Sequence, residues 1–164
     1  MNKAELKKAY EEMSGETDKL YDFVVLFYEQ INMPHDYGTG ELVSMVEAHT
    51  LGMIDDSPGI TVSEVAKRRG RTLGAASQIV SKLVKKELVY KEKEKGNAKT
   101  VHLYLTEEGE KLSTTHRLYD LEEMQRSLQM MLETCTLEEM AGFMKVALQY
   151  REYFMNLNEP PSKQ

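Results

Sequence analysis

The spacing of apolar positions divides the chain into elements. Leu20, Phe23, Val24, Phe27, Tyr28 and Ile31 recur three and four residues apart, which predicts one helix over residues 3–31, stopped ahead of Pro34. A connector over 32–40 leads to a second helix at about 41–55, its apolar face carrying Leu42, Val46, His49 and Met53. Thr61 with Glu64 spells a capping box that opens a short helix, 62–69, with Val65 and Ala66 inward. Gly70 breaks that helix, and Thr72 caps the next, 73–86, which turns Ala76, Ile79, Val80, Leu83 and Val84 inward. Two helices of this length joined through a glycine turn make a helix-turn-helix.

The period then switches to alternation. Runs at 88–94 and 100–105 flank Lys95-Gly-Asn-Ala-Lys99, and Val101, Leu103 and Leu105 alternate with His102 and Tyr104. This is a hairpin with a basic tip, a wing. Thr106-Glu-Glu-Gly opens a long helix to about 133, and Thr136-Leu-Glu-Glu opens a last one to about 157. The expected fold is mostly α with a small β-hairpin wing: a winged helix-turn-helix flanked by N- and C-terminal dimerisation helices. Its divisions are a dimerisation helix and connector over 1–40, the DNA-binding winged unit over 41–106, dimerisation helices over 107–158 and a frayed tail over 159–164. The terminal helices carry more apolar surface than a small winged unit can cover, and a symmetric homodimer is the simplest way to bury it.

Composition changes this picture in one respect. The 164 residues carry a net charge of −6, which argues at first against nucleic acid. Between residues 60 and 105, however, eleven Lys and Arg face four Glu, so this segment is +7 and the remainder −13. A basic block on an acidic chain is the footprint of a phosphate-binding face. That balance favours double-stranded DNA as partner over the alternative, a winged-helix module that binds only protein. No apolar run reaches membrane-spanning length, the N-terminus has no signal-peptide core, and Cys135 is the only cysteine, so a cytoplasmic protein without a membrane partner is expected. Phosphate-loop, Gly-x-Ser-x-Gly and His-Glu-x-x-His motifs are missing from the sequence, so an enzyme is not expected.

The stretches Ile60-Thr-Val-Ser-Glu-Val-Ala, Gly70-Arg-Thr-Leu-Gly-Ala-Ala-Ser-Gln-Ile-Val-Ser-Lys-Leu83, Lys86-Glu-Leu-Val89 and Leu105-Thr-Glu-Glu-Gly109 together resemble the MarR family of bacterial transcriptional regulators. The order of elements extends the resemblance over nearly the whole chain. It implies a homodimeric regulator, read here as a repressor, on a pseudo-palindromic operator. Recognition helices would enter successive major grooves, and wings would reach minor grooves. It also implies a small ligand, metal or oxidant as effector, with no cofactor required.

On the recognition helix, Thr72, Leu73, Gly74 and Ala75 are expected nearest the bases, with Ser77, Gln78 and Lys82 facing outward from later turns. Gln78 suits adenine, while Arg71 and Lys82 suit phosphate. Most relatives carry Asp-x-Arg at the wing tip; Asn97 and Lys99 stand there instead. Lysine lacks the planar fork of arginine, so minor-groove reading should be looser.

Three effector classes stay open. His116 and Asp120 lie four apart on the long helix, a spacing that can chelate a divalent metal such as zinc. By resemblance to zinc-responsive members, His49 and His116 fall close to ligating positions, with His35, Glu47 and Glu29 available to complete a set. Asp120 replaces a histidine of those relatives. The other class is an aromatic or amphipathic molecule bound by Tyr21, Phe27, Tyr28, Tyr37 and Met53. Cys135, just ahead of a helix start, is a third possibility as a peroxide-sensing thiol, although thiol-sensing relatives place theirs in the N-terminal helix.

Overall fold

The structure, a computed structural model, describes residues 2–94 and 97–157; the side chains of Thr17, Glu94 and residues 97–99 lie outside that description, as does the predicted tail. Helices α1 (Lys3–Ser14) and α2 (Thr17–Asn32) replace the single helix expected over 3–31. The break falls at Gly15, where glycine costs about 1 kcal/mol in a helix interior. Ser14 adds to the break, its hydroxyl donating to the Glu11 carbonyl. The expected connector contains strand β1 (Pro34–Asp36), antiparallel to β2 (Leu42–Ser44), with His35 opposite Val43. Between them the Asp36 carboxylate accepts the amides of Gly38, Thr39 and Gly40 at 2.8–3.0 Å, closing a tight loop.

Helix α3 (Met45–Asp56) starts later than expected, at a capping box between Ser44 and Glu47. Its buried face also differs from the expected one. Ala48, Leu51 and Ile54 are buried, whereas Leu42 is exposed and Val46, His49 and Met53 are half-buried. Both stripes have helical spacing, and the packing of α3 against α5, α6 and β4 decides which of them is buried.

The helix-turn-helix matches its sequence signals. α4 (Val62–Arg69) begins at the Thr61–Glu64 box and ends at Gly70, whose φ of 60° is the left-handed cap that glycine favours. α5 (Leu73–Lys85) begins at Thr72, whose hydroxyl accepts the Ala75 amide. Strands β3 (Val89–Glu94) and β4 (Asn97–Leu105) form the wing, with Tyr90 opposite Tyr104. Thr61 bridges to His102 as a short third strand. Leu51, Ile54, Val80, Leu83, Leu103 and Leu112 are fully buried in one core, each contributing about 1.5–3 kcal/mol.

α6 (Glu107–Met131) starts at Thr106 and crosses the wing base, and α7 (Leu137–Leu157) follows. α1 and α7 bury no residue, while Phe23 on α2 meets Phe143 on α7 edge-on.

Candidate nucleic-acid interface and metal centre

Thr72, Leu73, Gly74, Ser77, Gln78 and Lys82 are exposed along one side of α5, and Ala75 is half-buried. Leu73, at 59% exposure, is an apolar side chain left in water on the first turn, as a thymine-methyl contact requires. Arg71 is exposed in the turn before it. The side chains of Asn97 and Lys99 lie outside the described residues.

Long-range contacts hold this face in place. Lys86, just beyond α5, donates to the Leu42 carbonyl (2.6 Å) and to the buried carboxylate of Glu47 (3.0 Å). Nδ1 of His102 lies 2.6 Å from the Gly59 carbonyl and ties the wing to the start of α4. Arg68 donates to Ser57 at 2.8 Å.

A second cluster lies where α3 meets α6. Nε2 of His49 is 3.4 Å from one oxygen of Asp120, and Nε2 of His116 is 3.4 Å from the other. One donor atom from each residue fits within a sphere of contacts no longer than 4.8 Å. Donors about 2.0 Å from a tetrahedral zinc stand about 3.3 Å apart, so both separations are short enough for these groups to share one ion. Nε2 of His116 is buried and has no hydrogen-bond partner among the described residues. An orphaned buried nitrogen costs about 1–3 kcal/mol, a cost that a bound cation would offset.

Burial pushes the pKa of both imidazoles down, and Asp120 only partly opposes it. Both therefore favour the neutral form at pH 7, the form in which an imidazole can ligate. Two neutral imidazoles and one carboxylate fit zinc or a similar divalent ion, with a coordination position open.

The remaining predicted ligands lie elsewhere. Glu47 is the third residue of the α3 capping box and pairs with Lys86, so it points away from the cluster's task. His35 is exposed and its ring packs on Tyr37 and Tyr119, 4.9 Å from each. Glu29 is exposed on α2.

The aromatic set is not brought together within one chain. Tyr21, Phe27 and Tyr28 are exposed on α2, Met53 is half-buried on α3, and Tyr37 is buried with its ring 4.5 Å from that of His116. Burial, then the charge of Asp120, pushes the Tyr37 hydroxyl up to about 12. A cleft of about 190 Å³ between Ile31, Val46, His49, Arg69 and Ile79 includes none of the five. Cys135 is exposed and free.

The sequence signals missed Lys86 and Arg69. Arg69 ends α4 and its guanidinium donates to the backbone carbonyl of His49. Nothing local marks either residue, because their partners lie 39 to 44 and 20 positions away.

Residues 43–99, from β2 into the wing, match the MarR family model. The uncharacterized HTH-type transcriptional regulator YhjH of Bacillus subtilis (strain 168) is 27% identical over 128 residues, 77% of this chain and 73% of that protein. Streptococcus pneumoniae FabT in complex with DNA aligns over 91% of this chain and 99% of its own at 21% identity, with a TM-score of 0.59. The zinc-responsive MarR family member Lactococcus lactis ZitR aligns over 87% of this chain and 99% of its own at 16% identity, with a TM-score of 0.62.

Proposed function

We infer the function from family membership: the chain belongs to the MarR family of winged-helix transcriptional regulators, whose fold and family are not those of enzymes. On that premise we propose a homodimeric repressor of a pseudo-palindromic operator, resident in the cytoplasm, with a divalent metal as effector.

The single observation behind the DNA reading is the exposed side of α5, set in a segment of net charge +7. Leu73 and Gln78 would meet base edges, and Arg71 and Lys82 would meet phosphates. The log–log slope of affinity against salt should therefore be steep. Arg71→Ala and Lys82→Ala should each flatten it by about one. Gln78→Ala should weaken a selected duplex by about 1–3 kcal/mol while leaving binding to random DNA nearly unchanged. A salt-insensitive interaction would instead favour a protein-binding module.

Dimerisation is supported by the apolar residues exposed on α1, α2 and α7. Sedimentation at micromolar concentration should give twice the 18.8 kDa of one chain.

The choice of a metal over an aromatic effector rests on the His49–His116–Asp120 donor set and its orphaned nitrogen. A bound ion would cross-link α3 to α6, the helix through which the chain leaves the winged unit.

A further inference from the structure

We propose that Arg69 couples the His49–His116–Asp120 site to the recognition helix, acting as a latch that a bound cation opposes. The inference rests on the metal reading of that site. Three guanidiniums, those of Arg68, Arg69 and Arg117, rim the cleft over the cluster. Arg117 is neutralised by Asp55 and Asp56, at 3.1 and 2.8 Å. Arg68 is held by the Ser57 hydroxyl. Arg69 has no carboxylate partner among the described residues. Its anchor is the carbonyl of His49, the residue whose imidazole faces Asp120.

Arg69 is also the last residue of α4. Immediately after it come Gly70 in its left-handed conformation, Arg71, whose amide donates to the Ala66 carbonyl, and Thr72, the cap of α5. The latch therefore joins α3, at the metal-facing residue, to the turn that sets the start of the recognition helix. Its guanidinium is partly desolvated and lies close enough to Arg71 to feel its charge. The same guanidinium disfavours a positive charge on His49. A dication held by Nε2 of His49 adds two more positive charges beside it. Metal loading and the latch thus oppose each other, and linkage makes the opposition reciprocal. Loading weakens the hold of α3 on the helix-turn-helix turn, while neutralising Arg69 strengthens metal binding.

The test compares the full-length protein with Arg69→Gln and Arg69→Lys. Zinc affinity is measured by competition with a chromophoric chelator. Affinity for a duplex selected by the protein from a randomised pool is measured by anisotropy, zinc-free and zinc-saturated, at fixed ionic strength. In the wild type, zinc should change duplex affinity on the order of tenfold. In Arg69→Gln that ratio should fall to within about twofold of unity, and zinc should bind several-fold more tightly. Arg69→Lys keeps the charge but has no fork to reach the carbonyl. Its zinc affinity should stay near wild type while the ratio falls part-way. A purely structural arginine would move duplex affinity in both states alike and leave the ratio intact. A wild-type ratio in Arg69→Gln, or unchanged zinc affinity there, overturns the latch. A wild-type protein that binds no zinc, or whose duplex affinity ignores it, overturns the metal reading and the latch with it.

Discussion

Replacing His116 by leucine should abolish a zinc-induced rise in melting temperature and leave the metal-free protein at least as stable as wild type. The two halves of this expectation have separate causes. His116 brings the most buried of the three donor atoms, and losing a direct ligand should cost at least the ~100-fold known for outer-sphere changes. Zinc at ~100 times its Kd stabilises the wild type by about 2.7 kcal/mol, or about 5–10 °C for a chain of this size. In the variant that shift should vanish. Without metal, leucine fills similar space and removes a buried nitrogen that has no hydrogen-bond partner among the described residues. A histidine kept for packing would behave oppositely, and its leucine variant would melt lower in chelator. The pH dependence has a definite sign. Only neutral imidazole ligates, and burial holds His49 and His116 below their ordinary pKa. The zinc shift should therefore be alike at pH 7 and 8. It should decline only under acid conditions, below the usual histidine range.

Gly109→Ala should be the most damaging small substitution in the winged unit. A Cβ at Gly109 would lie 2.0 Å from the Leu88 carbonyl oxygen and 3.0 Å from its carbon, and both are backbone atoms that cannot rotate away. The same carbonyl accepts the Thr106 amide (3.1 Å), and the Thr106 hydroxyl donates to Glu87 (2.7 Å). These bonds clamp the start of α6 to the base of the wing. Relieving the clash means lifting α6 off, at about 3 kcal/mol or more and a fall of about 6–12 °C in Tm. Gly74→Ala is the control. Apart from its own helix backbone, nothing among the described residues lies within 4 Å of its Cβ position, so stability should hold or rise by up to about 1 kcal/mol. Equal losses in both variants would show that the cost is not the clash.

The parts legible in the sequence are those set by local chemistry. Thr61 with Glu64, Gly70 and Thr72 define the helix-turn-helix because capping and left-handed turns are decided within a few residues. Ser44 with Glu47 forms the same kind of box, and reading it would have placed the start of α3 and removed Glu47 from the metal set. The three-residue strands β1 and β2 are too short to show a period. The break at Gly15 lies inside an unbroken helical pattern, and α3 offers two apolar stripes between which only tertiary packing chooses. His49, His116 and Asp120 were legible through spacing and resemblance together. Their 3.4 Å separations, and Tyr37 packed on His116, depend on where α3 and β1 come to rest against α6.

The 12 residues of α1 and the 21 of α7 bury nothing in their own chain. A helix as short as α1 is marginal in water by itself, and longer ones such as α7 draw most of their stability from packing an apolar face. With a second copy as the cover, the last stage of folding is second order in chain concentration. Copy number would then set more than the occupancy of DNA. A cell that makes few chains would leave a larger fraction of them only partly folded and open to proteolysis, so the regulator's dose response would be steeper than its affinity for DNA alone implies.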